Sequence, residues 1–333
     1  MEEEVLKTIS KYNMIKSGDK IILAVSGGPD SIFMFDVLNK LKEKLNFELV
    51  VCHVNHMIRE EAEDDEKFVK NICIKNNIEC FVKRIDVKKY ANNNKIGTEE
   101  AGRILRYEFF EEVLNKTFSN KIAIAHNKND KAETIIMNLL RGTGTQGLKG
   151  IEPIREDKFI RPIIEIERKD IEKYCIENNL NPRIDKTNFE NIYTRNKIRN
   201  IILPYIEKEF NPNIVESINR LSEIITEEDE YLTRITEVEY KKMLIEQKKD
   251  EIILDLRTFN KQDKVIKKRL ILFTISKVLG SCCGIEKVHI EDIIKLCENN
   301  IGNKFLTPNK NIKFLINKGK IFVQLQKNYW KKM

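Results

Sequence analysis

Short apolar runs alternate with longer amphipathic segments through the first 140 residues. Lys20–Val25 (KIILAV), Phe47–His53, Ile78–Ile85 and Lys121–Ala125 read as buried strands. Pro29–Leu45, Glu60–Asn76, Glu99–Leu114 and Asp130–Leu140 repeat their apolar residues at helical spacing. This alternation predicts a parallel sheet with helices on both faces, and ligands bind beyond the C-terminal strand ends of such sheets.

From residue 168 the pattern changes. Arg168–Asn178 and Thr194–Glu209 predict helices, interrupted by Pro182 and Pro204. An apolar stripe from Ile214 through Ile218, Leu221, Ile225 and Leu232 to Val238 predicts one long connector helix. Residues 251–299 look mixed but mainly helical (Lys264–Leu279, Lys287–Cys297). Residues 304–326 alternate as short strands with turns at Pro308-Asn309 and Lys318-Gly319. The expected fold class is α/β. A parallel-sheet domain spans 1–210, the connector helix 211–248, and a mainly helical C-terminal domain with a small β-sheet 249–333.

Composition narrows the class. In 333 residues, 33% are charged and 41% hydrophobic, which excludes collagen and low-complexity disorder. No apolar run approaches the roughly 18 residues that span a bilayer. The acidic start, Met-Glu-Glu-Glu, argues against a secretory signal, and seven scattered Cys argue for reduced thiols in a cytoplasmic protein. The net charge of +7 is unevenly placed: residues 301–333 hold eight Lys and no acid, so the other 300 residues sum to −1. That end is a candidate surface for nucleic acid, with an ordinary solvated, Lys-edged sheet as the competing reading.

Ser26-Gly27-Gly28-Pro29-Asp30-Ser31 follows the first strand and opens a helix. Two glycines permit positive φ and close approach of a ligand, and helix-start amides attract an anion. Ser26 and Ser31 offer hydroxyls, and Pro29 starts the helix without wasting an amide. Asp30 repels phosphate unless a bound Mg²⁺ reverses the sign. The segment is neither a Walker A loop nor a GxGxxG turn.

These residues resemble the PP-loop of the N-type ATP pyrophosphatases, which adenylate a carbonyl oxygen before a nucleophile displaces AMP. Four further segments resemble the tRNA(Ile)-lysidine synthetase family. They are His53-Val54-Asn55-His56 with Arg59-Glu60-Glu61; Glu99 to Tyr107, with Gly102 where Ala is usual; Ala125-His126 to Thr134 with Leu140 to Gly144; and Arg161-Pro162, Asp185 to Asn188 and Tyr193 to Asn200. The resemblance implies an adenine-nucleotide α-hydrolase-like fold. It also implies ATP and Mg²⁺ as cofactors, with free L-lysine and tRNA(Ile) bearing a CAU anticodon as substrates. Carried onto this chain, nucleotide binding falls to Ser26, Gly27, Gly28, Pro29, Asp30, Ser31, His53, Arg103 and Arg106. Asp30 holds the metal, Asp130 and Glu133 hold lysine, and the catalytic set is Asp30, Asp130, Glu133 and Arg195.

Each group has a plainer competitor. Asp130 and Glu133, three apart at a helix start, also suit a capping arrangement. Arg103 with Arg106, and Arg195 with Arg199, also suit a solvated helix face. His53 and His126 sit at strand ends, where nucleotide pocket and local hydrogen bonding compete, and the four His have no metal-ligand spacing. The family's second His and second Asp in the central signature are replaced by Asn127 and Asn129. Of the rival classes, a tRNA thiolase lacks its Cys-x-x-Cys pairs here, Cys282-Cys283 being merely adjacent. A degenerate RNA-binding relative does not explain an intact phosphate loop.

Overall fold

A computed structural model describes residues 1–57, 62–183, 190, 193–282, 284–299 and 304–326. The expected Arg59-Glu60-Glu61 and Asp185 to Asn188 segments, Cys283 and the last lysines, from 327 on, lie outside the described residues. The chain forms two compact units, Met1–Ile225 and Thr226–Met333.

In the first unit, α1 (Glu2–Lys11), β1 (Lys20–Ala24), α2 (Pro29–Leu45), β2 (Glu48–Asn55), α3 (Ala62–Lys75) and β3 (Glu79–Arg84) come first. They are followed by α4 (Val87–Asn94), α5 (Thr98–Thr117), β4 (Lys121–Ile124), α6 (Lys128–Leu140), α7 (Thr145–Leu148), β5 (Ile154–Arg155), β6 (Phe159–Ile160) and α8 (Arg168–Glu177). The sheet order is β3-β2-β1-β4-β6-β5, parallel except for β5. The four expected strands are present, and two short ones extend the sheet. Period-2 alternation explains the apolar run of β1. Ile21 and Leu23 enter one core with Leu38 and Ile171, while Ile22 enters another with Val50, Phe110 and Phe159. Helices α1 and α4 were not expected. The α1 helix buries Val5 and Ile9 in the first of those cores. Its first turn carries Glu2, Glu3 and Glu4, which suits a helix N-terminus.

The expected helix at 194–209 is three pieces: α9 (Thr194–Lys197), a π-helical turn (Ile198–Ile202) and α10 (Leu203–Glu209). Pro204 lies in the first turn of the last piece, where a missing amide is tolerated, and the widened turn precedes it. The connector is one helix, α11 (Ile214–Met243), shorter than expected because β7 (Leu244–Gln247) takes its last residues.

The second unit continues with β8 (Glu251–Asp255), α12 (Leu256–Asn260), α13 (Lys264–Leu279), α14 (Lys287–Asn299), β9 (Lys304–Asn309), β10 (Ile312–Asn317) and β11 (Lys320–Leu325). Its sheet order is β7-β8-β11-β10-β9, antiparallel throughout. Helical composition over 251–299 therefore overlooks β8. Its Ile252, Ile253 and Leu254 are all buried, and a run this short carries no periodicity to separate strand from helix. The Lys318-Gly319 turn is present, with both residues at positive φ as a tight hairpin needs. The other turn lies at Lys310-Asn311, two residues beyond the expected Pro308-Asn309, which end β9.

Candidate active site

Strands β2 and β3 lie on one side of β1, and β4 and β6 on the other. The chain thus reverses direction between β1 and β4, at the kind of switch point where parallel sheets bind ligands. The loops after these two strands carry the phosphate segment and the start of α6.

Only one of the two loop glycines uses its freedom. Gly27 has φ +96, whereas Gly28 has φ −76 and serves as the N-cap of α2 without a side-chain bond. Ser31 staples the loop. Its Oγ accepts from Ser26 N (3.2 Å) and Gly27 N (3.1 Å) and donates to Gly28 O (2.9 Å). Gly28 N donates to Ser26 Oγ at 3.4 Å. Both glycine amides, expected as anion donors, thus also have serine hydroxyl acceptors within the loop. The amides of Asp30 and Ser31, in the first turn of α2, have no intrahelical acceptor. Arg183 N donates to Gly27 O (2.9 Å), and its Nε bonds Asp65 Oδ1 on α3 (3.1 Å), which ties two further segments to the loop.

The start of α6 is built oppositely. Asn127 caps it: Oδ1 accepts from Asp130 N (2.9 Å) and Asn127 N donates to Asp130 Oδ2 (3.1 Å), a complete capping box. The capping reading of Asp130 is therefore correct as far as it goes. The carboxylates also collect three guanidiniums. Arg168 reaches Asp130 Oδ1 (3.0 Å) and Glu133 Oε1 (3.1 Å). Arg195 Nε reaches Glu133 Oε2 (2.9 Å). Arg199 reaches Glu133 Oε1 (2.7 Å) and Asp130 Oδ1 (2.9 Å). Glu133 is 0% exposed, so its charge requires this pairing. Burial pushes the Asp130 carboxyl up, but Arg195, Arg168 and Arg199 outweigh it and hold the group below the usual carboxylate range. Arg195 and Arg199 are therefore no solvated helix face.

Asn127 also joins the two loops, because its Nδ2 donates to Asp30 Oδ1 at 2.8 Å. Burial, with Asp130 adding repulsion, pushes the Asp30 carboxyl up to about 6. No cluster of three metal-ligating side chains occurs among the described residues. That does not conflict with Mg²⁺, which is commonly held by one or two carboxylates together with substrate phosphates. Asp30 beside a phosphate loop fits that mode.

His53 Nδ1 lies 2.9 Å from Val25 O and so carries the ring proton. Its buried Nε2 has no hydrogen-bond partner among the described residues, and burial lowers its pKa. His126 accepts at Nδ1 from Arg161 Nε (3.1 Å), and burial pushes it down to about 4, so both rings are neutral. Arg103 and Arg106 are exposed on α5, Arg103 lying 5.7 Å over the Tyr107 ring. Neither hydrogen-bonds the phosphate loop among the described residues. At Gly102 an added Cβ would lie 3.7 Å from the His56 ring, an ordinary contact, so the family's Ala would fit. No sequence signal points to Arg168 or Arg183, and Asn129 is marked only as a departure from the central signature, without a role. Asn129 Oδ1 accepts from Arg168 N at 3.0 Å, capping α8 from another element and presenting Arg168 to the carboxylates. Its place in the central signature does not signal that, because the bond joins residues 39 apart.

A model of the PP-loop domain family matches residues 1–206. A tRNA(Ile)-lysidine synthase of Clostridium acetobutylicum is 46% identical over 329 residues, covering 98% of this chain and 71% of that protein. One of Clostridioides difficile is 46% identical over 311 residues, covering 93% and 67%. Among solved structures, the U34-tRNA thiolase NcsA from Methanococcus maripaludis with its [4Fe-4S] cluster is similar with TM-score 0.57 at 22% identity. The match covers 68% of this chain and 77% of that one, a likeness of fold alone. An uncapped phosphate loop beside a capped, arginine-laden helix start is thus set in a chain nearly half identical to lysidine synthases over almost its whole length. The chain belongs to the tRNA(Ile)-lysidine synthase family of PP-loop proteins.

Proposed function

We infer that this chain is an ATP-dependent tRNA(Ile)-lysidine synthase, a cytoplasmic ligase joining free L-lysine to C2 of the wobble cytidine in a CAU anticodon. One observation carries the reading. The Asp30–Asn127–Asp130 chain of hydrogen bonds joins a phosphate-type helix start to a carboxylate–arginine cluster. A nucleotide and a charged small molecule can therefore meet at one switch point.

In the first step the cytidine C2 carbonyl oxygen attacks the α-phosphorus of ATP. A C2–O–P linkage forms, the bond to the β-phosphate breaks and pyrophosphate leaves. In the second, the neutral ε-amine of lysine attacks C2, and AMP departs with the oxygen. Both steps depend on positioning and on charge stabilisation. The open amides of Asp30 and Ser31 suit the phosphates. Mg²⁺, when bound at Asp30, would neutralise charge on the pyrophosphate. Lysine carries a carboxylate as well as ammonium groups. A cluster of Arg168, Arg195 and Arg199 with Asp130 and Glu133 offers partners for both signs. Asp130, held strongly ionised, is a poor acceptor for the ammonium proton. The lysines of β9 to β11 are assigned to the tRNA backbone.

The test is AMP formation with ATP, Mg²⁺, lysine and a CAU-anticodon tRNA, each omitted in turn, with mass analysis of the nucleoside. Lysidine formed only when all are present supports the reading. AMP release with no lysyl adduct would sink it.

A further inference from the structure

Asn127 stands where the family usually carries a histidine, and it is completely buried. Its side chain does two things. Oδ1 accepts from Asp130 N at 2.9 Å, and Nδ2 donates to Asp30 Oδ1 at 2.8 Å. The second bond spans 97 residues of sequence and has no part in capping. It leaves Asp30 Oδ2 without a hydrogen bond among the described residues.

We propose that Asn127 is a positioning residue for the nucleotide step: its amide sets the Asp30 carboxylate against the start of α6 and so fixes the phosphate loop relative to the carboxylate–arginine cluster. The inference rests on reading Asp30 as a phosphate-loop, metal-holding residue. The task has three requirements: an acceptor for Asp130 N, a donor for Asp30, and no charge of its own between two carboxylates. Asparagine meets all three. Aspartate lacks the donor and adds a third negative charge. Serine accepts as a cap but is too short to reach Asp30. A neutral histidine has one ring nitrogen to accept and one N–H to donate, so the family's usual residue and the one found here are the same chemical solution. Asn129 needs only an acceptor toward Arg168 N, which aspartate supplies equally.

The competing account is that Asn127 is a helix cap and nothing more. Serine caps about as well as asparagine, so Asn127→Ser separates the two. Three readouts apply: the melting curve, calorimetric ATP binding with and without Mg²⁺ in the absence of tRNA, and steady-state AMP release. Positioning predicts a folded Asn127→Ser protein that loses about 10–100-fold in kcat, as supporting residues of this kind typically do. Its ATP binding gains less from Mg²⁺ than the wild type's, and its KM for lysine changes little. Asn127→His should keep all three properties within a few-fold. In an Asp30→Ala background, Asn127→Ser should add nothing. A serine variant with wild-type kcat and Mg²⁺ response overturns the proposal, as does additivity in the double variant. If Asn127→Ser does not fold, loss of function in a folded Asn127→His overturns it alone. An impaired Asp30→Ala beside a normal Asn127→Ser removes this inference and spares the reading of Asp30. A normal Asp30→Ala removes both.

Discussion

The two sheets of this chain are finished in opposite ways. At the C-terminal end of β2 and past that of β4 lie buried polar groups: His53 and Asn55 in the strand, Asn127, Asp130 and Glu133 beyond β4. The inner face of the antiparallel sheet buries only apolar side chains, among them Ile252, Leu254, Phe314, Ile316 and Val323, while Lys318 and Lys320 stand in and beside a turn. Burying polar groups is costly unless each finds a partner. A structure that concentrates them at the ends of neighbouring strands, and needs three arginines to neutralise Asp130 and Glu133, spends stability on a site. A sheet whose inner face is apolar, with the unit's buried polar groups such as Lys267 and Thr274 left to its helices, is a scaffold that presents a surface.

The contrast is broken most directly at Asp30. Asp30→Ala should lower AMP release about 10²–10³-fold. Its half-buried carboxyl is pushed up to about 6, so removal relieves an unfavourable charge but takes the acceptor from the buried Asn127 amide, and the melting temperature should change little. Wild-type turnover would show that this unit's polar groups are merely structural. The mirror experiment is Phe314→Ala in the dry core, where the ring is 2% exposed. Denaturant unfolding should register a loss of about 3–5 kcal/mol, with ATP affinity of the folded protein unchanged.

Glu133→Gln keeps shape and removes charge. Its apparent KM for lysine should rise on the order of tenfold, the scale of a charged hydrogen bond, with little change for ATP. Equal weakening for both substrates would reduce the cluster to a structural brace. In the second unit, Lys318→Glu with Lys320→Glu should weaken tRNA binding and lower the slope of log affinity against log salt by about one or two. ATP binding should stay as it was, and parallel salt plots would make this turn ordinary surface.

The smallest effect expected is at Glu66. Arg84, against opposing desolvation and with Lys70 and Asn55 assisting, holds its carboxyl down at about 2, against an ordinary value of 4.5. A depressed carboxylate stabilises the fold above its ordinary pKa, and that stabilisation is lost as pH falls through the folded value. Glu66→Gln should therefore be less stable than wild type at neutral pH, with the gap closing between about pH 4.5 and 2 in acid-unfolding curves.

Much of the first unit was legible because its signals are local. The KIILAV run and the glycine turn with Pro29 behind it each declare an element within a few turns of chain, as does the stripe from Ile214 to Val238, which runs on into the second unit. The family signatures singled out Asp130, Glu133 and Arg195, but not what they do to one another. Arg168 lies 35 residues from Glu133 and Arg199 66, and no periodicity connects residues so far apart. Only the crossovers of the parallel sheet bring α6, α8 and the 194–202 segment together, and only then does a solvated-looking arginine pair become the counter-charge of a buried carboxylate. The same holds for β8, helix or strand until β11 pairs with it, and for Asn127, only a departure from the family signature in the sequence and a bridge to Asp30 once β4 lies beside β1. Local residue spacing decides which elements form. Which polar groups must neutralise one another is decided by packing, because the cost of leaving a charge unpaired arises only when the fold removes the water.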